Sequence, residues 1–328
     1  MRLIIINILE LNGLKILGFD IGGTKCAVIT AEWDGSNIIL LKKEKCPTDH
    51  TLTPYGMIDK LISMADAIID GKPDAVGISC GGPLDSKRGV IMSPPNLPGW
   101  DNVEIVKKIE EHYGVPVKLQ NDANACAVAE WKFGAGKDCN NVVFMTFGTG
   151  LGAGLILDGK LYSGTNDNAG EVGHIRLDRF GPVGFGKAGS FEGFCSGGGI
   201  AQLGYIKAVE MAQKGEYPMY FKKGYTQSDV TAKTIADAAD AGDETAINVY
   251  RTSGEYLGKG LSIIIDILNP EVIVIGSIFA RSQNLLWESA KNVIDNEALN
   301  LSSDCCRIVP AELGEQIGDY AAIATALL

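Results

Sequence analysis

The sequence has no run of lysines or arginines, no stretch of ~18 apolar residues, no CxxC pair and no GxxxxGK[ST] phosphate loop. Each absence closes a class. Forty acidic against 29 basic residues leave a formal net charge of −11, the wrong sign for nucleic acid or an anionic membrane surface. A small molecule is therefore the expected partner. The opening MRLIIINILELNG is interrupted by Asn7 and Glu10 and has no small-residue cleavage site after it, so it reads as an extra strand or a ragged start rather than a signal peptide. The cysteines at 26, 46, 80, 126, 139, 195, 305 and 306 stand mostly among apolar or small neighbours, the pattern of reduced structural thiols in a cytoplasmic protein.

What is present is a chain of 328 residues, 46% hydrophobic, long enough for two domains at ~150 residues each. Residues 15–44 alternate β-branched runs (KILGFDI, KCAVITAE, NIILLKKE) with turns, which predicts a three-strand meander. A helix is expected from about Tyr55 to Ile69, then strand DAVGISC, a Gly/Pro loop, a helix over 101–113 and strand VPVKLQ. NDANACAVAEWKFGAG reads as an alanine-rich helix, NVVFMTF and GAGLILDG as strands, and the stretch from about Thr231 to Leu268 as a long helical region ending at Asn269-Pro270. Strand EVIVIG, a helix from about Gln283 and a closing helix of small residues complete the chain. The expected division is residues 1–120, with the closing helix (about 312–328) returning to them, and residues 121–311.

Two segments echo one another about 130 residues apart: LGFDIGGTKCAVIT and FMTFGTGLGAGLIL, both strand, glycine turn, strand. Such a turn lets backbone N–H groups approach a phosphate, with Thr24 and Lys25 adding a hydroxyl and a cation. A tight hairpin with no ligand reads equally well from the first turn alone. GTGLGAG invites a dinucleotide-binding reading, but that fingerprint needs a helix after the glycines, and a strand follows here. A third glycine turn follows EVIVIG at Gly276 and Ser277.

Taken in order, DIGGTK, GISCGGPLD, PNLPGW, NDANACAVAE, GTGLGAGLILDGKLYSG, AGEVGH and NPEVIVIG resemble the ROK family of repressors and sugar kinases, within the actin-like ATPase superfamily, from about Leu14 to the end. The resemblance implies an α/β protein of two actin-like (ribonuclease H-like) domains with a cleft between them that closes on sugar. It implies ATP phosphates between Gly22, Gly23, Thr24, Lys25 and Gly148, Thr149, Gly150, with Gly276 and Ser277 near the adenosine and Asp20 close to Mg²⁺, through water. Asp122 would be the base accepting the proton of the attacking hydroxyl, though its place before a helix also suits an N-cap. Gly81, Gly82, Asn96, Asn121, Glu171, His174 and Glu192 would line the sugar pocket.

Many family members carry CxCGxxGCxE after the GH segment, whose three thiolates join the histidine on a structural zinc. This chain has VGFGKAGSFE, with Val183, Phe185 and Ser190 in the thiolate places, so no zinc site is expected. Val183 and Phe185 are expected to pack apolar surface where the metal would sit, and Cys195 alone cannot rebuild the site. The implied function is an ATP-dependent kinase acting on a free hexose, with glucose O6 first and fructose, N-acetylmannosamine, N-acetylglucosamine, mannose or allose as alternatives. A catalytically silent sugar sensor and a transcriptional regulator are the readings of another class. The regulator is disfavoured because only nineteen residues precede Asp20, too few for a winged helix-turn-helix. A homodimer is an analogy with relatives.

Overall fold

The computed structural model describes residues 13–328, so the segment expected as an extra strand lies, up to residue 12, outside the described residues. The chain forms two compact units, one of residues up to Ala129 together with Glu315–Leu328, the other of Glu130–Gly314. The sequence reading changed domain at 120/121; the units exchange inside a helix, at 129/130.

The first unit opens with the meander β1 (Leu14–Ile21), β2 (Lys25–Trp33) and β3 (Ile38–Pro47). Helix α1 (Pro54–Ile68) starts on a Thr53 cap with proline in its first turn and buries Met57, Ile58, Leu61, Ile62, Ala65 and Ile68, one stripe at helical spacing. Then come β4 (Ala75–Cys80), the small hairpin β5 (Leu84–Asp85) and β6 (Val90–Ile91), and α2 (Ile105–Tyr113), which ends on the left-handed Gly114. Strand β7 (Val117–Asn121) leads directly into α3 (Asp122–Phe133). The sheet order is β3-β2-β1-β4-β7, antiparallel within the meander and parallel from β1 onward. The closing helix, Ile317–Thr325, presses on this sheet so closely that a Cβ on Gly77 of β4 would lie 2.0 Å from the Ala322 carbonyl oxygen. Only glycine admits that approach.

The second unit contains β8 (Val142–Phe147), β9 (Leu151–Leu157) and β10 (Lys160–Leu161), the hairpin β11 (Val183–Gly184) and β12 (Lys187–Ala188), and α4 (Phe191–Phe194). It continues with α5 (Gly197–Ala212), α6 (Ala232–Asp240), α7 (Glu244–Leu268), β13 (Val272–Ile275), α8 (Ile278–Glu297), α9 (Asn300–Ser303) and β14 (Arg307–Pro310). Its main sheet runs β10-β9-β8-β13-β14. Counted in chain order within each sheet, both read third, second, first, fourth, fifth, so the echo between the two glycine turns is an echo of whole sheets. Buried Glu130, near the end of α3, accepts the N–H groups of Ala135 (2.9 Å) and Leu313 (2.9 Å), tying the helix to the segment after β14.

The helical region expected over 231–268 is two helices: Gly242 takes φ +91° and the Asp243 carboxylate caps α7 by accepting the Ala246 N–H at 2.9 Å. The helix expected from about Gln283 follows a kink at Ser282 (φ −128°, ψ 30°), and a short helical stretch from Ile278 precedes it in α8. Helix α5 was not foreseen, because its first three residues are glycines. Among the described residues, no helix is long and apolar enough to cross a membrane.

Candidate active site

In the first unit the candidate residues converge on the turn between β1 and β2. The turn closes through Gly22 N–H donating to the Lys25 carbonyl at 3.1 Å. Thr48, just past β3, holds it from outside: its Oγ1 donates to the Gly22 carbonyl at 2.6 Å and its N–H to the Thr24 carbonyl at 3.0 Å. A ring nitrogen of His50 lies 2.9 Å from the Gly23 carbonyl. A Cβ on Gly23 would fall 2.3 Å from the backbone oxygen of Asn96, so the PNLPGW loop lies flat on the turn. The side chains of Thr24 and Lys25 face solvent.

Asp20, at the end of β1, is surrounded by charge. Burial first, then the carboxylates of Asp319 and Asp122, push its carboxyl up to about 6, against the opposing pull of Lys43 and Lys25. Lys43 of β3 is hydrogen-bonded to Asp319 of the closing helix, and a Cβ on Gly318 would sit 3.1 Å from Asp20 Oδ2. Asp122 begins α3, exposed, with its Oδ1 accepting the Ala123 N–H at 2.8 Å; Asn121 Oδ1 accepts the same N–H at 3.0 Å. Asp122 is thus the first residue of α3 rather than its N-cap, with a side chain that faces outward. Opposite lies the Gly81–Gly82 turn, where added Cβ atoms would come 4.0 Å from Asp122 Oδ2 and 3.0 Å from Asn121 Nδ2. Lys43, Thr48, His50 and Asp319 were missed in the sequence.

In the second unit the turn between β8 and β9 closes in a similar way, Gly148 N–H donating to the Gly150 carbonyl at 3.1 Å. The Gly148 carbonyl accepts the Gly197 N–H at 2.7 Å, which brings the start of α5 to the turn. A Cβ on Gly148 would be 3.5 Å from Ser277 Oγ, so the third glycine turn adjoins the second. Ser277 has φ +58° and ψ −112°, a backbone that favours glycine. Glu192 reaches the same turn: its Oε2 accepts the Leu151 N–H at 3.0 Å and lies 2.9 Å from where a Cβ on Gly150 would be. Gly173 packs on the Leu151 carbonyl, which seats the GEVGH loop, with exposed Glu171 and half-buried His174, beside Glu192.

The expected burial of Val183 and Phe185 is wrong. They are 47% and 71% exposed, because strand alternation in β11 turns Gly184 inward, onto Glu192 and Gly193, and its two neighbours outward. Ser190 Oγ caps α4 by accepting the Gly193 N–H at 3.1 Å, and the Cys195 thiol points into the core toward the Ser253 carbonyl at 3.4 Å. The donor set around His174 does not fit zinc.

Paired sheets of one topology, each with a glycine turn in its first hairpin, define an actin-like, ribonuclease H-like α/β protein. The model of the ROK family matches residues 16–327, and the chain belongs to that family. It is 34% identical to the glucokinase of Streptomyces coelicolor over 84% of this chain and 85% of the relative. Among solved structures, a ROK family glucokinase from Streptomyces griseus in complex with glucose and AMPPNP superposes with a TM-score of 0.75 at 28% identity, covering 95% of this chain and 99% of that one. A ROK family transcriptional regulator, a homologue of the Escherichia coli MLC protein, gives 0.80 at 25% identity, covering 97% of this chain and 79% of the regulator.

Proposed function

We propose that the protein is an ATP-dependent sugar kinase, transferring the γ-phosphoryl group to a hydroxyl of a free hexose, with glucose O6 as the first candidate. The observation that carries this reading is the arrangement on the first unit, where Asp122 stands rigidly at a helix start between the Gly81–Gly82 turn and the charged surroundings of Asp20. Phosphoryl transfer demands positioning, charge neutralisation and a carboxylate to take the hydroxyl proton.

Asp122 accepts that proton, and Asn121 and Asn96 orient the sugar hydroxyls beside it. The backbone N–H groups of the first turn, with Thr24 and Lys25, face phosphate oxygens. On the second unit, Gly148, Thr149 and Gly150 do the same, Gly276 and Ser277 meet the adenosine, and Glu171, His174 and Glu192 address the sugar. The carboxylates of Asp319 and Asp122 raise the cost of a charge on Asp20, against the pull of Lys43 and Lys25, a cost that a nearby divalent cation would offset. Asp20 would hold Mg²⁺ through water, and the ion when bound supplies charge neutralisation on the phosphates.

The test is ADP release with Mg²⁺-ATP across glucose, fructose, mannose, allose, N-acetylglucosamine and N-acetylmannosamine, with Asp122→Asn as control. Turnover on one sugar that the variant lacks supports the kinase and names the acceptor. The regulator likeness favours a second reading, a sugar sensor: sugars would raise the melting temperature with no turnover on any of them.

A further inference from the structure

His174 stands where relatives with the cysteine motif are expected to hold zinc, yet it is bracketed from three sides. Its carbonyl accepts Lys187 Nζ at 2.7 Å. Its ring meets the Phe185 ring edge to face, centroids 5.2 Å apart at 79°. The residues after it are stitched to those after the hairpin: Arg176 Nη1 donates to the Ala188 carbonyl at 2.6 Å, Leu177 N–H to Gly189 at 2.9 Å and Phe191 N–H to Ile175 at 2.7 Å.

The hairpin itself is built at a cost. Gly184 pairs with Lys187, so Phe185 and Gly186 form its two-residue turn, both at positive φ, +43° and +74°. Such a turn favours Asn-Gly or Gly-Gly, and a bulky aromatic in the first place is disfavoured. Burial does not compensate, since the ring is 71% exposed. The ring does contact that of His174. Among the described residues, neither His174 ring nitrogen has a hydrogen-bond partner in the protein, whereas a metal would consume one of them.

We propose that the Val183–Ala188 hairpin replaces the zinc as the device that positions His174, with Phe185 fixing the imidazole ring and Lys187 the backbone, leaving both ring nitrogens to the hydroxyls of the acceptor. The proposal rests on the reading of His174 as a sugar contact. Phe185 and Lys187 are positioning residues for a polyhydroxylated ring, acting through an aromatic contact and a hydrogen bond to the backbone where thiolates and metal would otherwise act.

The chain has three histidines, His50, His112 and His174, so imidazole proton resonances resolve the effect without substrate. Phe185→Gly relieves the turn and removes the ring. It should leave the melting temperature equal or higher, move one of the three imidazole signals (assigned with His174→Gln), and raise the sugar KM about tenfold, the scale of one lost aromatic contact, with kcat and the ATP KM unchanged. Phe185→Tyr should behave as the parent, and Lys187→Met should raise the sugar KM in the same direction. An imidazole signal that ignores Phe185→Gly, or a sugar KM that does, overturns the proposal. If the parent phosphorylates no hexose, the kinase reading fails, and sugar dissociation constants of the same variants, read with the imidazole signals, still decide the role of the hairpin.

Discussion

The two glycine turns share a scaffold and differ in what surrounds them. Asp20, at the end of the strand that leads into the first unit's turn, lies among Asp122, Asp319, Lys43 and Lys25, and the turn's own carbonyls are held by Thr48 and His50. The turn of the second unit is bordered by Ser277, by the first turn of α5 and by Glu192, whose Oε2 is bonded to a backbone N–H. One strand order thus supports a charged site and a largely neutral one. On the kinase reading proposed above, charge that must change during phosphoryl transfer would lie with the first, and the second would offer backbone donors and hydroxyls, which can bind a nucleotide without shifting a proton.

The largest expected effect follows from that division. Asp122→Asn keeps the shape of the helix start and removes the proton acceptor, so turnover should fall by about 10² to 10⁴-fold while sugar affinity is retained. Thr149→Val in the second turn should cost about tenfold or less, mainly in the ATP KM. Steady-state kinetics on both variants checks this, and equal losses in kcat would erase the contrast between the turns.

A second contrast is steric. Alanine at Gly23 would drive its Cβ to 2.3 Å from the Asn96 carbonyl oxygen, backbone against backbone, so the PNLPGW loop must lift off the turn. Alanine at Gly148 meets nothing nearer than Ser277 Oγ at 3.5 Å, an ordinary contact. Gly23→Ala should therefore lose roughly 2–4 kcal/mol of stability and raise the sugar KM, and Gly148→Ala less than about 1 kcal/mol. Chemical denaturation of the pair measures the difference.

The same contrast marks how far the sequence could be read. The strand, turn, strand units were legible because β-branched runs and glycines are local signals, and Asn269-Pro270 marked a helix end for the same reason. What was not legible is long-range or counter to propensity. Lys43 meets Asp319 across 276 residues of sequence, and nothing in either neighbourhood announces it. Helix α5 begins with three glycines, and its position is set by Ser196 accepting the Gly199 N–H and by Gly197 bonding to Gly148. Val183 and Phe185 were expected inside because they are apolar; a two-residue strand pairing has no periodicity long enough to reveal which face points out.

Asp20 offers a test of the charged turn that does not need substrate. Its carboxyl titrates at about 6 in the folded protein against 3.8 as the ordinary value, so between those values the folded state binds the proton more readily than the unfolded one. The contribution of Asp20 to stability is then fully present below about 4 and is lost as pH rises through the window from about 4 to about 6. Asp20→Asn removes the cost of that buried charge. It should be more stable than the parent by about 1–3 kcal/mol at pH 7.5, with the gap closing as pH falls toward 4, and it should bind Mg²⁺-ATP more weakly. Melting curves at several pH values follow the gap; a variant less stable at pH 7.5 would mean that Lys43 and Lys25 outweigh the burial.

The smallest effect belongs to the neutral side. Ser277 holds φ +58° and ψ −112°, a region costing a non-glycine residue about 1–3 kcal/mol, and its Oγ accepts Arg281 Nη2 at 3.2 Å. Ser277→Gly releases the strain but gives the unfolded chain more freedom, worth about 0.5–1 kcal/mol in the other direction, and loses the Arg281 contact. The net should be a gain of at most about 1 kcal/mol in stability, with the ATP KM raised a few-fold through the missing hydroxyl. A glycine variant that gains stability and leaves the ATP KM unchanged would show that the strain serves the fold of the α8 start rather than the nucleotide.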